Sequence, residues 1–264
     1  MRVLMMTDLE GVAGVVTFEQ DSYPDGKYYE AAKRLLTAEV NAAVDGLLEA
    51  GAEEVLVLDM HGPGGIAFED LHPAARLMHG RPLAPQAVRD AVYRTYDVSV
   101  IVGQHALAGV ADGNLAHTQS SRSIDIYTLN GKPIGEIAQW ALYCGALGLP
   151  VIFLSGDRAA CREIEDLIPG ITTAAVKQGL SRTSAITLSK EASRELIRSR
   201  SREALQRHSL APIAPLVWES PYVLEKRYFH TDTADAAASQ PGFERVDSQT
   251  VRLRSDSILD LIYR

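Results

Sequence analysis

The chain has 264 residues and a net charge of −8, from 34 acidic and 26 basic residues. Hydrophobic residues make up 46%, enough for a large core, which excludes an intrinsically disordered chain. The acidic balance and the lack of a basic stripe speak against a nucleic-acid or anionic-membrane partner, and no apolar run approaches the length of a membrane span.

The first element is the hydrophobic run from Arg2 to Thr7, which reads as a buried β-strand. It breaks into Asp8-Leu9-Glu10-Gly11. If the backbone stays extended, Asp8 and Glu10 point the same way. Two carboxylates on one side of a strand tip repel each other unless a cation sits between them. A polar loop, Thr17 to Lys27, leads to a helix from Tyr28 to Ala50, with Leu36, Ala43 and Leu47 on one face and Gly51 as its cap. The strand Val55–Leu58 follows and completes a βαβ unit, which favours a parallel sheet. It runs into Asp59-Met60-His61-Gly62. After an amphipathic stretch, Phe68 to Leu77, a helix spans Gln86 to Tyr93. The strand Val98–Val102 then ends in Gly103-Gln104-His105.

Further along, Arg122 to Leu129 alternates polar and apolar residues, and Asn130-Gly131 signals a hairpin turn. Glu136 opens a helix ending near Gly148. Val151–Leu154 is another buried strand, and Arg158 to Leu167 another helix, stopped by Pro169-Gly170. Beyond Ile171 the pattern changes to strands at Thr172–Lys177 and Ser184–Leu188, a charged helix from Lys190 to Gln206, and a mixed remainder. The expected fold is therefore α/β, a mostly parallel sheet flanked by helices in a βαβ-rich N-terminal part. Residues 1–170 would form the metal-binding catalytic domain. Residues 171–264 would form a smaller α+β region supplying oligomerisation and substrate-pocket elements. The two cysteines, Cys144 and Cys161, read as reduced, buried thiols of a cytoplasmic protein, and no signal peptide is visible.

In an open α/β sheet, ligands bind at the carboxyl ends of the strands. Asp8, Glu10, His61 and His105 all fall there. Glu136, in the first turn of a helix, is a fifth candidate, although helix capping alone explains a carboxylate at that position. Three carboxylates and two imidazoles suit zinc or another first-row divalent ion better than calcium or magnesium. Five ligands exceed the three of a single catalytic zinc. Two metals sharing a bridging carboxylate fit the count, with Asp8 as the bridge. His72, His79, His208 and His230 lack this strand-tip placement and read as ordinary solvated residues.

Asp8-Leu9-Glu10-Gly11, Asp59-Met60-His61-Gly62, Gly103-Gln104-His105-Ala106, Leu115-Ala116-His117-Thr118 and Gly135-Glu136 occur in the order and spacing of the D-aminopeptidase family of binuclear zinc peptidases, the dipeptide-transport-operon type. The resemblance runs from Arg2 to Arg182 and weakens towards the C-terminus. It implies two zinc ions per subunit held by Asp8, Glu10, His61, His105 and Glu136. It implies a catalytic role for His117, as nucleophile or base, which periodicity does not single out; an orienting role behind a ligand is the plainer alternative. It further implies release of N-terminal D-amino acids such as D-Ala from short peptides, and a ring-shaped homo-oligomer such as a decamer of two pentameric rings. The chain departs from its relatives at Gln104, where Tyr is common, and at Gln119-Ser120-Ser121. Both changes bear on the substrate pocket. Lys177 and Arg182 offer cations for a peptide carboxylate, or are simply surface charges at a strand end. A binuclear metal amidase, an L-peptide aminopeptidase, a phosphoesterase and a non-catalytic peptide-binding component of an uptake system are the competing readings. No P-loop-type glycine motif supports the phosphoesterase.

Overall fold

β1 (Arg2–Thr7) lies in the middle of a seven-stranded sheet in a computed structural model, which describes residues 1–263. After it come α1 (Tyr29–Glu49), β2 (Glu54–Asp59), β3 (Ala75–Met78), α2 (Gln86–Tyr93) and β4 (Val98–Gln104). The hairpin β5 (Ile124–Leu129) and β6 (Lys132–Ile134) precedes α3 (Glu136–Ala146), β7 (Val151–Asp157) and α4 (Arg158–Leu167). β8 (Thr172–Ser181), β9 (Ser184–Thr187) and α5 (Lys190–Leu210) follow. The chain closes with β10 (Tyr222–Tyr228), α6 (Thr231–Ala238), β11 (Glu244–Arg245) and β12 (Thr250–Ser255).

The large sheet has the order β3-β2-β1-β4-β7-β8-β9, parallel throughout except for the terminal β9. The fold is thus mixed α/β, with a largely parallel sheet flanked by helices. Strands buried on both faces read as unbroken hydrophobic runs, which is why β1, β2 and β4 are visible in the sequence. Along β1, Val3 and Met5 enter one core with α1 and α5, while Leu4 and Met6 enter another with α3 and the second sheet. The chain leaves β1 towards β2 on one side and later returns through β4 on the other. The gap between β1 and β4 is therefore the topological switch point, where ligands of such sheets bind.

Two expectations need correction. Residues 75–78 form an edge strand parallel to β2, not the end of an amphipathic stretch. A four-residue edge strand carrying an exposed Arg76 gives too short a pattern to read as a strand. Position 171 is not a seam between the sheets either. β7 and β8 pair across it, Phe153 opposite Thr172, while the second, antiparallel sheet, β11-β12-β10-β5-β6, draws two strands from before it. The hairpin expected at Asn130-Gly131 joins β5 to β6, both turn residues having positive φ. Cys144 and Cys161 are free and buried. No helix among the described residues is long and apolar enough to cross a membrane.

Candidate metal centre

Asp8 and Glu10 follow the last residue of β1. They converge through a turn, not through strand alternation. The Asp8 amide donates to the Val102 carbonyl at 3.0 Å and the Gly11 amide to the Gly103 carbonyl at 2.7 Å, which folds the turn over the tip of β4. Gly103 has φ +80°, and a Cβ there would overlap the Asp8 carbonyl, so only glycine permits this approach. His61 sits beyond β2 on a loop clamped by Arg81, whose guanidinium donates to the carbonyls of Asp59, His61 and Gly62 at 2.9, 2.7 and 2.8 Å. Asp59 accepts from the Gly65 amide at 2.7 Å, so it shapes this loop. His105 directly follows β4, and its amide is held by the Gln104 side chain at 2.9 Å. Glu136 is the first residue of α3, where the helix dipole favours a carboxylate. It accepts from the Gln119 amide at 2.7 Å.

These residues form one chain of contacts. His61 Nδ1 stands 3.2 Å from both Asp8 Oδ1 and Glu10 Oε2. His105 Nε2 stands 3.2 Å from Asp8 Oδ2 and 3.5 Å from Glu136 Oε1. His117 Nε2 is 3.8 Å from Glu136 Oε1, and its ring stacks on that of His105 with centroids 4.0 Å apart. Donor atoms of Asp8, Glu10 and His105, and of His105, His117 and Glu136, form two overlapping groups, each within 4.8 Å. All five residues expected as ligands therefore meet in one place, with His117 beside them.

The far nitrogen of each imidazole is committed to the backbone. His61 Nε2 donates to the Ser22 carbonyl at 3.0 Å, His105 Nδ1 to the Ala106 carbonyl at 2.9 Å, and His117 Nδ1 to the Leu115 carbonyl at 2.9 Å. A carbonyl can only accept, so in each neutral ring the near nitrogen carries the lone pair and faces carboxylate oxygens. Lone pair against carboxylate is repulsive without a cation. His105 Nε2 and Glu10 Oε2 are also buried without a hydrogen bond. A divalent cation fits this donor set: neutral imidazoles and carboxylates, with the rings oriented from behind.

The electrostatics agree. Burial disfavours charge on His61, yet the Glu10 and Asp8 carboxylates outweigh it and hold the imidazole well above its ordinary pKa. Burial likewise opposes charge on His105, and Asp8 and Glu136 raise its pKa well above the usual value. Burial would raise Glu10, but His61 above all keeps its carboxyl well below the usual range. His117 is lowered, by burial first and then by the neighbouring His105 charge. The protein by itself thus concentrates positive charge at the two nitrogens that flank Asp8.

Asp8, Glu10, His61, His117 and Glu136 line a cavity of about 310 Å³ whose wall includes Tyr23, Ser121 and Arg122, with His105 buried behind it. A second cavity of about 400 Å³ shares Met60, Gln119 and Glu136 with it and is closed by Leu224, Leu261 and Tyr263. Gln119, Ser120 and Ser121 lie on the first wall. Gln104 does not; it is fully buried and braces His105. Lys177 is no surface cation. It is buried, and its ammonium donates to the carbonyls of Glu10 and Val15 and to Asn114 Oδ1.

Sequence reasoning missed Ser22, whose hydroxyl donates to Glu10 Oε1, and Arg81, since neither lies in a periodic pattern. His72 pairs with Asp45 at 3.3 Å, and His79 stacks on Phe68. His208 Nδ1 accepts from the Ile213 amide at 3.1 Å. None of these histidines joins the cluster.

A family profile described as D-aminopeptidase matches residues 1–263. The chain belongs to the D-aminopeptidase family. It is therefore an aminopeptidase, a hydrolase of peptide bonds. A D-aminopeptidase of Bacillus subtilis (strain 168) is 30% identical over 264 residues, covering 98% of this chain and 93% of that one. A solved structure, the Zn-dependent D-aminopeptidase DppA from Bacillus subtilis, described as a self-compartmentalizing protease, superposes with a TM-score of 0.87 at 29% identity. It too covers 98% of this chain and 93% of its own.

Proposed function

We propose that this aminopeptidase releases N-terminal D-amino acids such as D-Ala from short peptides, with a two-zinc centre at the tips of β1, β2 and β4. The observation that carries this reading is the position of Asp8, which presents one carboxylate oxygen to His61 and the other to His105, each at 3.2 Å. Asp8, Glu10 and His61 would hold one zinc ion, and Asp8, His105 and Glu136 the other. When bound, zinc supplies Lewis acidity, for the scissile carbonyl and for water. The zinc dependence of the Bacillus structure supports this choice of ion.

The chain's own residues supply the rest. Burial disfavours charge on His117 and holds its pKa below the usual imidazole value. Its tautomer is fixed by the Leu115 carbonyl, so Nε2 offers a lone pair at the cavity wall. As a base, that nitrogen can take a proton from the attacking water and later return it to the departing amine. As a nucleophile it would form an acyl-imidazole, with the peptide C–N bond breaking, the amine leaving with a proton from water, and a second water cleaving the acyl group from the ring. Leu115 and Gln119, which bracket His117, both have positive φ, 56° and 62°. Such conformations are costly outside glycine and concentrate where geometry is enforced. The metal centre that these carboxylates would hold suits the lone pair of a free amine, which favours cleavage at the N-terminus.

Residues of the C-terminal part, including Leu224 and Leu261, would complete the substrate wall. The same part would contribute to a ring-shaped homo-oligomer in the cytoplasm, as the self-compartmentalizing relative suggests. Zinc content after dialysis tests the centre: two ions per chain are expected in the wild type and fewer in His61→Ala and His105→Ala. A folded wild type that saturates at one ion would overturn the two-zinc reading.

A further inference from the structure

Four side chains stack beside the cavity, two of them, Tyr23 and Arg122, on its wall. The Arg182 guanidinium lies 4.5 Å from the centre of the Phe18 ring and that of Arg122 3.9 Å from the centre of the Tyr23 ring. The two rings stack on each other, 5.7 Å apart at 25°. The stack is tied to the site. Phe18 meets the His117 ring edge-on at 5.5 Å, and the Tyr23 hydroxyl shares a 2.9 Å hydrogen bond with Ser121 Oγ.

The two cations differ in what they can do. Arg182 Nη2 already donates to the Ser121 carbonyl at 3.4 Å, and the residue is not on the cavity wall. Arg122 is on that wall. Among the described residues its only partner is the Tyr23 ring; even Asp25, on the same wall, forms no ion pair with it. An aromatic ring engages the face of a guanidinium and leaves its N–H edge for a planar anion. Lys177 is excluded from this task because its three donors are spent on buried acceptors.

The cavity therefore offers two binding poles: the centre built on Asp8, Glu10 and Glu136, whose bound metal would accept the peptide's free amine, and the Arg122 guanidinium at the wall. A short peptide has matching ends, a free amine at one and a carboxylate at the other. A volume of about 310 Å³ is at the small end for ligand sites and suits a dipeptide-sized occupant.

We propose that Arg122, propped by Tyr23, binds the free C-terminal carboxylate of the peptide and makes the enzyme selective for dipeptide-sized free acids over C-terminally blocked peptides. This rests on the aminopeptidase reading above and specifies its substrate class. The expected wild type prefers D-Ala-D-Ala to its C-terminal amide. Arg122→Gln lowers the acid-to-amide ratio of kcat/KM by about tenfold to a hundredfold, the range of a hydrogen bond to a charged group, mainly through KM for the acid. Arg122→Lys restores only part of the ratio, since a point charge lacks the fork. In a His117→Ala background, which separates binding from turnover, calorimetry with D-Ala-D-Ala shows the same loss of affinity on adding Arg122→Gln. An acid-to-amide ratio within twofold of wild type in Arg122→Gln, in an enzyme that cleaves both substrates, overturns this assignment alone. A zinc-loaded wild type that cleaves neither substrate overturns the aminopeptidase reading and this assignment with it.

Discussion

Replacing Lys177 with methionine separates two roles that a lysine at this position could have. Met is close to Lys in length and removes only the ammonium. In the structure that ammonium, fully buried, bonds to the Glu10 and Val15 carbonyls and to Asn114 Oδ1. It ties the turn after β1 to the loop behind it and to the segment leading to His117. Hydrogen bonds to a charged group are worth about 1.5–3 kcal/mol each, so three represent roughly 4–9 kcal/mol. Removing the charge returns the cost of its burial, a few kcal/mol. The burial is visible in the pKa, which desolvation depresses to about 8. The net destabilisation of Lys177→Met is therefore about 2–5 kcal/mol, measured by urea unfolding of the metal-free protein at pH 7. Zinc affinity falls as well, because Glu10 loses its backbone anchor. If Lys177 bound the substrate carboxylate instead, the variant would keep its stability and zinc affinity and show a raised KM only. That result would refute the anchor.

Glu39 gives a stability test that depends on pH. Burial raises its pKa to about 7, against help from the Ala13 amide. A carboxyl whose folded pKa is raised contributes stability below its unfolded pKa and loses it as pH climbs through the folded value. Relative to Glu39→Gln, the wild type should therefore lose about 3 kcal/mol between pH 4.5 and 7.5, read from urea unfolding of metal-free samples; parallel profiles would contradict the assignment. His117→Ala should bind as much zinc as wild type while kcat drops by about 10²–10⁴, the usual span for a general base. Loss of zinc in step with loss of activity would instead assign His117 an orienting role.

How much of this was legible follows from where each residue sits. Asp8, Glu10, His61 and His105 follow the tips of β1, β2 and β4, whose two-sided burial writes a continuous apolar run that any reader of the sequence can see. An extended strand and a tight turn over β4 both bring Asp8 and Glu10 to one side, so the sequence pattern points to their convergence with either backbone. His117 had no periodic signal: its place depends on two left-handed residues, Leu115 and Gln119, that carry no glycine to announce them. Lys177 looked like a surface cation because its burial is imposed by a loop about 160 residues earlier in the chain. The small antiparallel sheet joins β5 to β10 across some 100 residues, and non-local pairing of this kind leaves no local trace. Arg122 lies just ahead of β5 in a polar stretch, and only the packing of Tyr23 against it marks it out.

The central claim, a zinc-dependent aminopeptidase selective for D-residues, is tested most directly by one paired measurement. D-Ala-D-Ala and L-Ala-L-Ala are offered to the same zinc-loaded preparation, with a chelated aliquot as control. Cleavage of the D-dipeptide alone, abolished by the chelator and restored by zinc, is the predicted result. Equal cleavage of the L-dipeptide, or D-cleavage that survives complete zinc removal, would contradict it.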